Sequence, residues 1–204
     1  MELIKHRLNT LEQLISLNGN LGAEIDVRYH YNELILTHDP FFHHEREFIT
    51  LEKFLKNWKN LKNTLILNIK TEGVEESCIK LLNSYRTSNR FFLDLSMPYF
   101  VKYANLVNTK RLSSKNLAVR FSDLEPIEYS LSFENKVKWV WVDTFKEFPL
   151  DIRSYEKLKK ANFKIILVSP ELQDHDISMI EEIKKITQNM KIDAVCTKFP
   201  KLWE

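Results

Sequence analysis

The stretch Gly22-Ala23-Glu24-Ile25-Asp26-Val27 decides the fold, because it has the alternation of a strand and places two carboxylates on one face. Seven similar β-rich runs lie along the chain, separated by segments with helical periodicity. Parallel strands need such helical crossovers, and eight of them close a barrel. The predicted strands are Leu3–His6, Ala23–Val27, Thr64–Ile69, Arg90–Leu93, Leu117–Phe121, Trp139–Val142, Lys164–Val168 and Asp193–Thr197.

Helical patterns occupy most intervals between these strands, and Thr50 has the position of an N-cap. Residues 126–137 are only weakly helical, and residues 31–36 form an extra extended segment that turns back on the second strand. We predict an α/β fold, a single compact (β/α)8 TIM barrel spanning residues 1–204, with its active site at the carboxyl ends of eight parallel strands. An open doubly wound sheet is the alternative on pattern alone. The predicted helices are Leu11–Leu17, Leu51–Trp58, Glu75–Tyr85, Tyr99–Val107, Ile152–Lys160 and Ile177–Ile186.

The composition excludes several function classes. A hydrophobic fraction of 44% supports a core, and a net charge of +2 gives no basic footprint for nucleic acid. Only three glycines are present, so neither a dinucleotide-binding glycine motif nor a P-loop can be built. Cys78 and Cys196 lack metal or redox spacing and are expected to be buried thiols. We also expect no signal peptide, no transmembrane segment and a cytoplasmic location.

Polar residues two positions apart follow most of the predicted strands. Such pairs share one face, and buried charges are costly unless they are paired or bind something. The carboxyl ends of barrel strands are also where barrel enzymes place their chemistry. A functional site at these ends is therefore favoured. The pairs are Glu24 and Asp26, Asn68 and Lys70, Asp94 and Ser96, Arg120 and Ser122, Trp141 and Asp143, and Ser169 and Glu171.

The mixture of charges indicates the kind of chemistry. Glu24 and Asp26 repel each other unless a cation lies between them, and hard oxygen ligands suit Mg²⁺ or Ca²⁺. The basic side chains Arg7, Lys70 and Arg120 would face an anionic group on the ligand. The strand ends also supply His6 and His38 as a general acid and base. Trp141 shares a face with Asp143 and is a candidate for stacking on a sugar or polyol.

These motifs resemble the glycerophosphodiester phosphodiesterase family of phospholipase C-like barrels. His6-Arg7 is similar to the family's opening His-Arg-Gly, and Glu24-Ile25-Asp26 to its Glu-x-Asp metal strand. His38-Asp39 matches the segment with the second histidine, and Asn68-Ile69-Lys70 falls where the family has Glu-Ile-Lys. Asn9-Thr10 resembles the start of the first helix. The match is dense over residues 3–73 and only architectural beyond them.

The resemblance implies a divalent metal on Glu24, Asp26 and Asn68, and proton transfer by His6 and His38. Arg7 and Lys70 would hold the phosphate oxygens of a small-molecule phosphodiester. Asn68 replaces the glutamate that supplies a third ligand, so the site lacks one negative charge. Leu8 replaces the family glycine. The possible substitutes for the missing carboxylate are Asp94, Asp143 and Glu171.

The later segments resemble a small bacterial branch found beside surface-polysaccharide genes, which implies a phosphodiester intermediate of capsule or lipopolysaccharide metabolism. Three alternatives remain. In the first, the barrel has lost full metal binding and holds its ligand without turnover. In the second, the protein is a lyase or isomerase in which Lys70 or Lys198 forms a Schiff base. A zinc cluster of His38 with His43, His44 and Glu45 is disfavoured by its spacing. The oligomeric state is not predicted.

Overall fold

Nine strands alternate with helices along the chain in a computed structural model that describes residues 1–17, 19–40, 48–107 and 112–204. All eight predicted strands are present, and the extra extended segment contains a ninth. The strands are β1 (Glu2–Lys5), β2 (Gly22–His30), β3 (Glu33–Leu36), β4 (Leu65–Ile69), β5 (Arg90–Leu93), β6 (Ala118–Phe121), β7 (Trp139–Val142), β8 (Lys164–Val168) and β9 (Ala194–Thr197).

Within the described residues, seven α-helices lie between the strands, and the six predicted ones are among them. The weakly helical segment contains the seventh, a five-residue helix. The helices are α1 (Leu11–Ile15), α2 (Leu51–Asn57), α3 (Glu75–Ser84), α4 (Met97–Leu106), α5 (Ile127–Leu131), α6 (Ile152–Lys160) and α7 (Met179–Thr187). Eight parallel strands with these helices make an α/β, TIM-barrel-like fold, which confirms the predicted fold class.

The chain divides into two compact units, and the first comprises residues 6–101. Its sheet has β2 paired in parallel with β4, and β4 in parallel with β5. Strand β2 also pairs antiparallel with β3, from Val27 opposite Leu36 to His30 opposite Glu33. This pairing explains why β2 continues three residues beyond the predicted end at Val27. Thr50 caps α2 as predicted, since its side chain accepts a hydrogen bond from the Lys53 amide at 3.1 Å.

The second unit comprises residues 1–5 and 102–204. Its parallel sheet has the order β1-β9-β8-β7-β6. The side chains of β7 are all buried, including both tryptophans, because this strand has a neighbour on each side. A buried carboxylate, Glu171, fastens the carboxyl ends of β8 and β9. It accepts hydrogen bonds from the hydroxyls of Ser169 and Thr197 and from the Lys198 amide.

Both cysteines are buried, as predicted. Burial, with a smaller effect of the nearby Glu75 carboxylate, raises the pKa of Cys78 to about 12. A thiol that stays protonated is a poor nucleophile and a poor metal ligand. Among the described residues, no helix has the length and apolar character needed to cross a membrane.

Leu8, the residue at the family's glycine position, is 1% exposed, and its amide donates to the Glu24 carbonyl at 2.8 Å. The left-handed backbone lies one residue earlier, at Arg7 with φ 53°. The substitution for glycine is therefore accommodated, because this side chain packs in the core.

Leu8→Ala should lower the free energy of unfolding by about 2–5 kcal/mol, since it removes buried methyl groups and leaves a cavity. Urea unfolding followed by circular dichroism measures the change. Leu61→Ala is the control, because Leu61 is 45% exposed, and we expect a change of less than about 0.5 kcal/mol there. Equal losses in the two variants would contradict the core position of Leu8.

Candidate active site

Strand β2 carries the two carboxylates of the candidate metal site. Glu24 and Asp26 lie on one face of the strand and are 1% and 0% exposed. Burial and the neighbouring Asp26 carboxylate raise the pKa of Glu24 to about 8. Without a cation beside it, Glu24 therefore carries a proton at neutral pH. Two adjacent buried carboxyl groups share this behaviour in many active sites, because like charges disfavour joint ionisation.

Asp26 is surrounded by donors. The Asn9 side chain holds it at two points: Nδ2 donates to Asp26 Oδ2 at 2.7 Å, and Oδ1 accepts from the Asp26 amide at 2.9 Å. Two cations lie slightly farther away, with Lys70 Nζ 3.6 Å from Oδ1 and Arg7 Nε 3.9 Å from Oδ2. These contacts hold the Asp26 carboxylate in one position within the buried site.

His6 and Arg7 approach the other carboxylate of β2. His6 Nε2 lies 3.7 Å from Glu24 Oε2, and the Arg7 amide donates to the same oxygen at 2.8 Å. The amide contact helps to hold Arg7 in its left-handed conformation, which costs about 1–3 kcal/mol in a residue with a side chain. Strain of this kind is concentrated at functional sites. The structure thus brings the predicted His-Arg pair beside the predicted metal strand.

Asn68 on β4 is the backbone partner of Asp26, so both side chains lie on the same face of the sheet. Three buried oxygens here lack a hydrogen-bond partner among the described residues: Glu24 Oε1, Asp26 Oδ1 and Asn68 Oδ1. Buried oxygens without donors are costly, and a hard divalent cation would satisfy all three. These residues therefore fit Mg²⁺ or Ca²⁺. The described residues contain no group of three His, Cys, Asp or Glu side chains suited to a metal, in keeping with the amide at position 68.

Lys70 lies between two carboxylates, 3.6 Å from Asp26 Oδ1 and 3.7 Å from Asp94 Oδ2. Asp94 has a left-handed backbone, with φ 56°. Of the three possible substitutes for the missing carboxylate, Asp94 is the one in the unit that holds Glu24 and Asp26.

His38 follows β3, where the Thr37 amide donates to the Asp26 carbonyl at 3.1 Å. Its Nδ1 lies 2.9 Å from Asp39 Oδ1, and 38% of its side chain is exposed. The carboxylate helps to fix the orientation of the ring. The predicted second histidine is thus attached to β2 through the hairpin.

Arg120 and Trp141, predicted to bind substrate, lie in the second unit around Asp143. Arg120 Nη1 donates to Asp143 Oδ2 at 2.8 Å, and Trp141 Nε1 donates to the same oxygen at 3.3 Å. Gln173 and the Thr144 amide donate to Oδ1. Burial raises the pKa of Asp143, although Arg120 opposes the shift. Asp143 is saturated by donors and holds the guanidinium in place.

Known proteins were compared with this chain. No protein-family model and no curated protein sequence matches it. Among solved structures, it is similar to a glycerophosphodiester phosphodiesterase from Agrobacterium tumefaciens str. C58, with a TM-score of 0.64 and 13% sequence identity. The similarity covers 99% of this chain and 97% of that one. The chain has the fold of this phosphodiesterase. At 13% identity this similarity shows a shared fold only, so the function is inferred from the residues of the site.

Two residues of the candidate site are not among the predicted ones. The sequence places Asn9 only before α1, and its paired contacts to Asp26 arise from tertiary folding. Arg28 donates through Nε and Nη2 to the His38 carbonyl and through Nη1 to the Lys70 carbonyl. Its spacing from Glu24 and Asp26 along β2 was the signal that could have revealed it.

A cavity of about 510 Å³ adjoins Arg7 and His38 in the first unit. It has both polar and apolar lining residues, and its volume lies in the range of pockets that bind metabolites. The zinc cluster that the spacing disfavours would include His43, His44 and Glu45, which lie outside the described residues. The cavity is lined by Arg7, Asn9, Thr10, Leu11, Gln13, Leu36, Thr37, His38, Asp39, Phe48, Ile49 and Lys53.

Proposed function

We propose that this protein hydrolyses a phosphodiester of the glycerophosphodiester type. The observation that carries the proposal is the set of buried oxygens on Glu24, Asp26 and Asn68 that accept no hydrogen bond from the described residues, next to His6, Arg7 and Lys70. A cation site beside two basic side chains suits an anionic ester whose charge increases during reaction. The shared fold of a known phosphodiesterase supports the same reaction class.

His6 and His38 exchange the protons that the reaction requires. One imidazole removes a proton from the attacking oxygen, and the other donates a proton to the departing alkoxide. His38 lines the cavity that can hold the leaving alcohol, whereas His6 lies beside Glu24 of the candidate metal site. We therefore assign His38 as the acid that protonates the leaving alcohol and His6 as the base.

Arg7 and Lys70 bind the phosphate oxygens. Arg7 has 43% of its side chain exposed, so its guanidinium is accessible to a ligand and matches phosphate oxygens in geometry. Lys70, with 19% exposed, is held in position by its two carboxylates. Both cations act most strongly when charge builds on the phosphate oxygens in the transition state.

Glu24, Asp26 and Asn68 would hold the divalent metal, Mg²⁺ or Ca²⁺. When bound, such an ion polarises the phosphodiester and neutralises negative charge. Because Asn68 brings no charge and Lys70 already neutralises part of Asp26, we expect a weaker metal affinity than a site with three carboxylates would have.

A ligand-binding barrel without turnover is the second candidate, and the amide at position 68 together with Lys70 beside Asp26 favours it.

The Schiff-base alternative has less support. Lys70 is ion-paired with two carboxylates, and Lys198 Nζ donates to the Glu171 carbonyl at 3.1 Å. Neither has the apolar surroundings typical of a Schiff-base lysine.

The substrate that we propose is a phosphodiester intermediate of surface-polysaccharide metabolism. Arg120 and Trp141 are its predicted contacts in the second unit.

A panel of phosphodiesters assayed with Mg²⁺, with Ca²⁺ and with EDTA tests the proposal. We expect hydrolysis with one of the two ions and a loss of about 100-fold or more in EDTA, since the ion supplies several kcal/mol of charge stabilisation. Released alcohol and phosphomonoester are measured by chromatography. Binding without hydrolysis under every condition would reject the enzyme and favour the second candidate.

A further inference from the structure

The described residues that line the cavity beside Arg7 and His38 are of two kinds. Apolar surface comes from Leu11, Leu36, Phe48 and Ile49, and hydrogen-bonding groups come from Asn9, Thr10 and Gln13. The segment that follows the undescribed residues 41–47 is fixed to the hairpin, because the Leu36 amide donates to the Ile49 carbonyl at 2.9 Å and Ile35 pairs with Thr50. The cavity is therefore bordered by hydrogen-bonded backbone along this edge.

Two of the described residues that line the cavity, Arg7 and Lys53, are basic. Lys53 on α2 is exposed, and no ion pair is recorded for it within the described ranges. Arg7 has a single long ion pair, 3.9 Å to Asp26, and no recorded hydrogen bond from its guanidinium to the residues that the structure describes. The carboxylate among the lining residues is Asp39, which is paired with His38. Two cations thus remain available to an anionic ligand.

We propose that this cavity binds the alcohol part of the phosphodiester, and that Lys53 selects alcohols carrying a second anionic group, such as a phosphorylated polyol. This inference rests on the proposed function, because it places the ester phosphate at Arg7 and the leaving oxygen near His38. The apolar wall would contact the carbon face of the polyol, while Asn9, Thr10 and Gln13 face its hydroxyls. A cationic alcohol such as choline would be repelled.

Equilibrium binding separates this inference from the proposed reaction. Calorimetry in EDTA, in a His6→Ala background, compares glycerophosphoglycerol that carries a terminal phosphate with glycerophosphocholine. We expect the phosphorylated ligand to bind more tightly. Lys53→Glu should weaken its binding about tenfold or more, as expected for reversing one nearby charge, and should leave or improve the binding of the choline ligand.

Lys62→Glu is the matched control, since Lys62 is also exposed but precedes the amino end of β4 and is not among the described residues that line the cavity. It should leave both affinities within about twofold, because solvent screens a more distant charge. Equal effects of the two lysine substitutions, or a preference for choline, would overturn the inference even if the wild type hydrolyses both esters. Selective, Lys53-dependent binding without hydrolysis by the wild type would support the pocket and reject the proposed reaction.

Discussion

His6→Ala should lower the rate of phosphodiester hydrolysis about 100- to 10,000-fold, the range expected for loss of a positioned general base. His6 Nε2 lies 3.7 Å from Glu24, and 11% of its side chain is exposed. An imidazole in this position is near the carboxylate that would contact the metal, yet remains accessible to a substrate. Substrate binding should change much less than the rate, since the proton transfer contributes to the transition state.

Steady-state kinetics measures this effect, with circular dichroism to verify that the variant is folded. His38→Ala should cause a comparable loss, and the double variant should lose little more than either single one, because the two histidines act as a unit. His175→Ala is the control: His175 lies in the second unit, with Nε2 3.1 Å from the Thr144 carbonyl. Wild-type rates in the His6 variant would reject His6 as the base.

The metal-free protein should lose stability as the pH rises from about 5 to 8, and Glu24 should cause much of this loss. The folded protein holds the Glu24 proton with a pKa of about 8, against 4.5 in the unfolded chain. Between these values the unfolded state releases a proton that the folded state retains. The free energy of unfolding therefore falls by about 1.4 kcal/mol per pH unit from this group, and the contribution is fully present only below the unfolded pKa.

Glu24→Gln removes this titration while keeping the shape of the protonated side chain. Relative to wild type, the variant should gain about 3 kcal/mol between roughly pH 5 and pH 7.5, as measured by urea unfolding in EDTA. Glu76→Gln, at an exposed position on α3, should give a curve parallel to wild type. A Glu24→Gln curve that is also parallel would show that Glu24 is already ionised in the folded protein.

Hydrophobic patterning predicted most of the secondary structure. Strands β5, β7 and β8 and helix α6 begin and end at the predicted residues, because each is a short apolar run or an amphipathic segment with clear boundaries. The predicted end of β2 was wrong, since Arg28, Tyr29 and His30 are polar or aromatic and extend the strand through pairing with β3. Tertiary hydrogen bonding, which no local pattern contains, decides that boundary.

The candidate site was predicted less completely than the fold. Alternation along β2 placed Glu24 and Asp26 on one face, and the register of β4 puts Asn68 beside them. The direction in which a long polar side chain turns cannot be obtained from spacing. Trp141, a predicted stacking residue, is 5% exposed and donates to Asp143, so its role in substrate binding stays a prediction.

The hairpin of β2 and β3 has a consequence for the timing of motions in the site. Its turn consists of two residues with left-handed backbones, Tyr31 and Asn32, and the ladder beyond it ends beside Asp26 and His38. Local opening of this ladder would break the backbone connection between β2 and the segment that carries His38. Hydrogen exchange at the hairpin amides therefore reports how often that connection is lost.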